Sequence, residues 1–207
     1  MERTLQVSYA LTLDAVQPRV SGCTKCLLSE TRTNAVFGEG DQYARVMLVG
    51  EAPGEAEDHT GRPFVGPAGQ KLDEVFAAVG ITRAELYIAN VVKCRPPGNR
   101  VPSRSEMEMC LPYLEAQIAL VNPGLIITLG NIPTQALLPS AEGITQVRGT
   151  FFPWRGGIEI FPMFHPSYLL RYQSRSKGSP KYLTWLDIQK VRTWLDEHAT
   201  NTGSKDA

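Results

Sequence analysis

Seven side chains in this sequence could do chemistry: four cysteines, one glutamate, one asparagine and one histidine. Cys23 and Cys26 form a C-x2-C pair, and Cys94 and Cys110 complete the set. Two thiolates so close can share one metal, and four suit structural zinc or an iron–sulfur cluster. Spacing alone leaves both open, with four unrelated thiols as the bland reading. Glu51 lies in Gly50-Glu-Ala-Pro-Gly54, where Gly and Pro force a tight turn whose amides can face a ligand. A plain turn with a solvated Glu is the alternative. No GK[ST] follows and the run is not GxGxxG, which disfavours the usual phosphate loops. Asn90 sits near the end of the apolar run Leu86–Val92. A buried amide needs partners, since leaving it unpaired costs about 1–3 kcal/mol. Its donor and acceptor match the edge of a pyrimidine, although a backbone-bonding structural Asn fits as well. His165 precedes Pro166 in His-Pro-Ser-Tyr and suits a ligand-facing donor at a helix start, against the commoner structural histidine. His59 and His198 read as surface residues. Phe64, in the loop Thr60–Gly69 with its three glycines and two prolines, is a stacking platform for a flat ligand or a buried loop anchor.

Elements must bring these residues together. Four apolar segments predict buried strands: Arg45–Gly50, Leu86–Val92, Leu125–Gly130 and Ile158–Phe164. The first three are near-continuous aliphatic runs, the pattern of strands covered on both faces. Pro162 points the fourth to an edge or a strand end. Leu72, Val75, Phe76 and Val79 follow helical spacing, with Gly80 as a stop. Ser103–Glu106 is a capping box opening a helix through Val121, which Pro112 should kink or split. A last helix holds Leu183 through Leu195. Strands alternating with helices imply an α/β fold with a mostly parallel sheet, whose ligands bind outside the carboxyl ends of the strands. Each motif above follows a predicted strand, as that rule requires.

The whole chain, residues 1–207, is expected to form one domain, with residues 1–30 as an N-terminal segment carrying the C-x2-C pair and residues 200–207 as a frayed tail. Lys and Arg together number 21, as do Asp and Glu, so the formal net charge is zero. Bulk charge therefore does not hold nucleic acid. Local basic stretches can, and there are two: Lys93, Arg95, Arg100 and Arg104, then Arg171, Arg175, Lys177 and Lys181 in a loop. Both follow strand-end motifs, so a shared phosphate-binding rim is expected, against two solvated loops. No apolar run approaches a membrane span, and the N-terminus lacks the apolar core of a signal peptide. A cytoplasmic location is the expectation, with reduced thiols rather than disulfides.

Together these segments resemble the family 4 uracil-DNA glycosylases, the iron–sulfur branch of that superfamily. The carrying runs are Cys23–Cys26, Gly50–Asp73, Asn90–Arg100, Leu129–Asn131 and His165–Arg171, in matching order and spacing. The resemblance implies a three-layer αβα sandwich around a four-stranded, mostly parallel sheet. It implies a [4Fe–4S] cluster held by Cys23, Cys26, Cys94 and Cys110, with a structural role expected, since nothing in the sequence supports a redox one. It further implies base-excision repair: hydrolysis of the bond joining uracil to deoxyribose in single- or double-stranded DNA, by a monomer. Carried over by motif, Glu51 positions or activates water, and His165 bonds uracil O2. Asn90 reads the uracil edge, Phe64 stacks on the ring, and the backbone of Gly50, Glu51 and Ala52 lines the pocket. Arg95, Arg100, Arg171 and Arg175 would contact DNA. One relative in the superfamily traps DNA through a His in a basic insertion; no such insertion follows strand two here, so turnover is expected. Glu51 argues against the family 5 branch, which lacks that polar residue. A non-catalytic module that binds uracil-DNA and a zinc-stabilised hydrolase are the rival readings.

Overall fold

The structure is a computed structural model that describes residues 11–139 and 142–199; the expected tail at 200–207 lies outside the described residues. Among the described residues six strands form one mixed sheet: β1 (Glu39–Gly40), β2 (Val46–Gly50), β3 (Leu86–Asn90), β4 (Leu125–Leu129), β5 (Phe152–Pro153) and β6 (Glu159–Met163). Their order is β1-β3-β2-β4-β6-β5. The four predicted strands form the parallel centre, each trimmed by a residue or two. The expectation of a four-stranded sheet is corrected by two antiparallel edge strands of two residues each. Such short edges have no hydrophobic period to read, because pairing rather than burial defines them.

Pro162 lies inside β6, opposite Thr128 of β4. Its carbonyl accepts from the Gly149 N–H at 2.9 Å, on the side away from β4 and beyond the end of β5. The N–H that proline lacks would point to that same outer side, so the ladder to β4 loses nothing.

Nine helices occur among the described residues. They are α1 (Leu13–Ser21), α2 (Leu28–Thr31), α3 (Glu55–Thr60), α4 (Pro67–Ala77), α5 (Arg104–Val121), α6 (Asn131–Leu137), α7 (Ile144–Val147), α8 (Pro166–Leu170) and α9 (Pro180–Glu197). Successive strand residues face opposite ways, and both ways are buried. Met47, Val49, Tyr87, Ala89, Ile126 and Ile160 pack with Leu114, Ile118 and Val121 of α5. Val46, Leu48, Ile88, Ile127 and Phe161 pack with Leu72 and Phe76 of α4 and Ile188, Val191 and Trp194 of α9. Helices thus cover both faces, as the continuous aliphatic strands require.

Helix α5 starts at the predicted capping box: Ser103 Oγ accepts from the Glu106 N–H, and Glu106 accepts from the Ser103 N–H at 2.7 Å. Pro112 does not split it. The carbonyl that loses its partner, four residues back at Glu108, belongs to an exposed residue and can bond water.

Helix α9 is tied by charge to the end of α7. Asp187 is fully buried and accepts from Nε of Arg148 at 2.8 Å and from a second guanidinium nitrogen. Burial raises the Asp187 carboxyl above its usual range despite that partner. Removing one member strands the other charge in a dry setting. Asp187→Ala should therefore lower the unfolding free energy by about 3–5 kcal/mol, read from urea denaturation.

Candidate active site

The carboxyl ends of β2, β3, β4 and β6 converge on one cavity of about 800 Å³. Chain order steps from β2 to β3 on one side, then across to β4 on the other. That reversal opens a crevice at the strand ends. Glu51, Ala52, Phe64, Asn90 and His165 all line it.

Gly50 sets how closely the walls approach. A Cβ on it would lie 2.3 Å from Asn90 Oδ1 and 2.6 Å from the Phe64 ring. Only a residue without a side chain lets these two groups meet beside the end of β2. A second glycine acts on the backbone: a Cβ on Gly69 would lie 1.8 Å from the Phe64 carbonyl oxygen, so α4 packs directly on the loop. Phe64 itself has φ of 52°, in the left-handed region that a bulky residue rarely adopts. Arg83 donates to its carbonyl at 3.1 Å, one of the contacts that hold this conformation.

Asn90 ends β3 and is 2% exposed. Its Oδ1 is the one buried side-chain polar atom among the described residues with no hydrogen-bond partner. An orphaned buried acceptor is costly, and in a cavity wall it marks a place for a ligand donor. The alternative of a backbone-bonded structural Asn leaves that oxygen unexplained.

His165 caps the start of α8. Its Nδ1 accepts from the Ser167 N–H at 3.1 Å and lies 2.7 Å from Ser167 Oγ. With Nδ1 accepting, the neutral ring carries its proton on Nε2. Burial, then the nearby Arg171 charge, pushes the His165 pKa down to about 4. The ring is therefore a neutral Nε2–H donor near pH 7. Its centroid lies 5.9 Å from that of Phe64. Glu51 is half-buried, and desolvation raises its carboxyl above the usual carboxylate range.

Glu57, not among the residues expected at the site, is central to it. Its buried carboxylate accepts from the Gly54 N–H at 3.1 Å and from the Val65 and Gly66 N–H groups at 2.9 Å each. It thereby ties the Gly50–Gly54 turn to the Phe64 loop. A signal existed: Glu57 stands three residues after Gly54, the position from which a glutamate reaches back to a helix start. Asp58 beside it accepts from the Thr33 and Asn34 N–H groups, tying down the segment after α2. His59 and His198 are exposed, as expected, with His198 stacked on Trp194 at 4.2 Å.

All four cysteines are free and line a second, small cavity with Val20, Arg32 and Tyr113. Cys94 and Cys110 are buried, and Cys23 and Cys26 partly so. Arg32 lies 3.0 Å from Cys94 Sγ, and the Lys93 N–H lies 3.3 Å from Cys110 Sγ. Burial pushes the Cys110 thiol up to about 11 and raises that of Cys94. Buried thiolates need positive charge beside them, which bound iron or zinc supplies. Among the described residues no group of three or more His, Cys, Asp or Glu side chains gathers as one metal ion would need. The four-thiol donor set nonetheless fits a soft metal group, and N–H donors already face two of the sulfurs.

The basic rim differs from expectation. Lys93 is buried, 1% exposed, and belongs to the core. Arg95 bonds Asn99 and pairs with Glu55 at 3.5 Å. Arg100 makes a two-pronged pair with Glu106, holding that carboxyl down at about 2. Arg104 pairs with Glu108. The acids come from α3 and α5, so a run without acids in sequence is not one in space. Arg171 is exposed and lines the first cavity. Arg175 and Lys181 lie apart, along a groove with Lys71 and Trp185.

Residues 37–189 match the family model described as the uracil DNA glycosylase superfamily. A type-4 uracil-DNA glycosylase of Thermotoga maritima is 45% identical over 184 residues, covering 88% of this chain and 94% of that protein. Those of Pyrobaculum aerophilum and Sulfurisphaera tokodaii are 45% and 44% identical, covering 78% and 77% of this chain and 86% and 76% of theirs. The converging strand ends, the glycine-sized gap at Gly50 and the likeness along most of the chain agree: this protein belongs to the type-4 branch of the uracil-DNA glycosylase superfamily.

Proposed function

We propose that the protein hydrolyses the N-glycosidic bond of deoxyuridine in DNA, releasing uracil and leaving an abasic site. The orphaned Oδ1 of Asn90, set in a cavity wall beside Phe64, carries this reading. Uracil offers N3–H to that acceptor, while its O4 accepts from the Asn90 amide. Cytosine reverses both groups and leaves buried polar atoms unpaired, the kind of mismatch that gives strong rejection. A base must leave the duplex stack to enter such a pocket, and Phe64 offers a ring for it to lie on.

Cleavage of the C1′–N1 bond sends its electron pair to uracil and leaves the sugar cation-like. The Nε2–H of His165 donates to uracil O2 as negative charge builds there. A neutral donor suits this task, since its proton stays on the imidazole. Glu51 as a carboxylate orients water towards C1′ and offsets the positive sugar. The backbone of Gly50, Glu51 and Ala52 completes the wall. The Arg171 and Arg175 side chains supply phosphate contacts, which position DNA without reading its sequence. Cys23, Cys26, Cys94 and Cys110 would hold a [4Fe–4S] cluster, which supplies a structural cross-link between the N-terminal segment and the Cys94–Cys110 stretch. One chain builds the whole pocket, which supports action as a single-domain monomer. Four free thiols support a reducing, cytoplasmic setting, and among the described residues no helix is long and apolar enough to cross a membrane.

The reading is tested with an oligonucleotide holding one uracil, treated with hot alkali after incubation. Cleavage at uracil, and none at matched cytosine or thymine, is expected; no cleavage by folded, cluster-loaded protein refutes it. Glu51→Gln and His165→Ala should each lower the rate of uracil release by about 10²–10³-fold in single-turnover assays with little loss of DNA binding. Because the carboxylate is the working form and burial raises its pKa, activity should fall on the acid side at a higher pH than an exposed Glu would give. That acid limb should vanish in Glu51→Gln, while protonation of His165 enters only near pH 4. Gly50→Ala should abolish uracil binding in titration calorimetry, because its methyl group occupies the gap between Asn90 and Phe64.

A further inference from the structure

Lys93 is a fully buried ammonium that the proposed chemistry leaves unused. Its Nζ donates to the main-chain carbonyl of Asn90 at 2.8 Å and to Gln117 Oε1 at 2.5 Å. Both partners are acceptors, and neither is a carboxylate. The orientation of Gln117 is set from its other end, where Nε2 donates to the Phe37 carbonyl at 2.8 Å and contacts the Tyr87 hydroxyl at 3.0 Å. The main chain of Lys93 is pinned too. Its carbonyl accepts from the Val36 N–H at 2.7 Å, and its N–H faces Cys110 Sγ. Burying an ammonium with neutral partners costs several kcal/mol. A methionine would fill the same space without that cost. What the ammonium does and a methionine cannot do is grip the carbonyl of Asn90, besides lending positive charge towards Cys110.

We propose that Lys93 is a positioning residue for the pocket amide: by fixing the Asn90 carbonyl, it sets the direction in which the Asn90 side chain meets uracil. The inference rests on the reading of Asn90 as the group that bonds the base. The carbonyl and the side chain branch from adjacent backbone bonds. The peptide after Asn90 is held at its N–H end by the Gly50 carbonyl, and without the ammonium its carbonyl end would be free to tilt and carry the unpartnered Oδ1 with it. The next two residues pair only through their N–H groups, with the carbonyls of Gly50 and Glu51 at 2.9 and 3.0 Å. The ammonium is thus the contact that holds the carbonyl side of this strand end. Its residue also borders the cysteine cavity, so that cavity and the pocket amide share one anchor.

The test is calorimetric titration of free uracil into wild-type protein, Lys93→Met and Gln117→Met, each confirmed as folded and equally loaded with iron. Lys93→Met should bind uracil at least about tenfold more weakly, the size expected for losing a charged hydrogen bond that orients the ligand group. Gln117→Met removes an equally buried polar side chain but leaves the grip on Asn90. It should lower the melting temperature while changing uracil affinity by no more than about twofold. Unchanged affinity in Lys93→Met, or equal losses in both variants, overturns the proposal. If Lys93→Met does not fold, wild-type protein labelled with 15N-lysine gives the second measurement. The buried Nζ signal, protected from exchange, should shift when uracil saturates the pocket, and an unmoved signal overturns the proposal. Release of uracil from DNA is measured alongside. A wild-type protein that binds the free base yet releases none from DNA would refute the glycosylase reading and leave the Lys93 result standing.

Discussion

The pocket depends on a steric condition at one atom: no Cβ can exist at residue 50. Asn90 Oδ1 and the Phe64 ring both come within 3 Å of the place it would occupy. Two polar and aromatic walls can be that close only where a strand end carries hydrogen instead of a methyl group. Gly69 repeats the condition one layer out, where the Phe64 main chain rests on α4. The strained φ of Phe64 follows from this crowding: the loop is pressed between two glycines and tied by Arg83. Strain of this kind persists only when the surroundings over-determine it, and it gathers at sites that hold ligands.

Glu57 supplies the cohesion that the crowding needs. Three backbone N–H groups from two segments end on one buried carboxylate. An acceptor-only group with four lone-pair sites can gather donors that no single backbone carbonyl could. The turn bearing Glu51 and the loop bearing Phe64 are therefore tied to one another through a single side chain. On the opposite wall, Ser167 fixes the ring of His165 through Nδ1 and so commits the Nε2 proton. Each group proposed to touch the base is held by a neighbour that does not touch it.

Much of this was legible from residue types. The four central strands were readable because burial on both faces leaves an unbroken aliphatic run, as in Met47–Val49 and Ile126–Ile127. The site followed from the strands, since each strand end carried a polar or glycine-rich motif. Three features were not legible. The edge strands were too short to carry a period. The helix through Pro112 tolerates a residue that should break it, because the carbonyl left without a partner belongs to an exposed residue, Glu108. The surroundings of the basic stretch at Lys93 are not legible because charge partners are set by folding: Glu55 reaches Arg95 from forty positions away, and Lys93 turns inward.

Lys93 shows why local charge is a weak guide to a surface. Its neighbours in sequence, Cys94 and Arg95, face the thiol cavity and the solvent-side pairs respectively. The strand that ends at Asn90 continues its pairing through Val91 and Val92, so the next side chain is set by the sheet and not by its own solubility. Once a lysine must lie inside, it can persist only against oriented acceptors. Gln117 provides one because Phe37 and Tyr87 hold its other end. The second is the Asn90 carbonyl. A buried charge satisfied in this way is a poor contributor to stability and a strong constraint on geometry. That constraint falls on the same residue as the single unsatisfied oxygen in the described core, where freedom of a few tenths of an ångström would loosen the fit to a base.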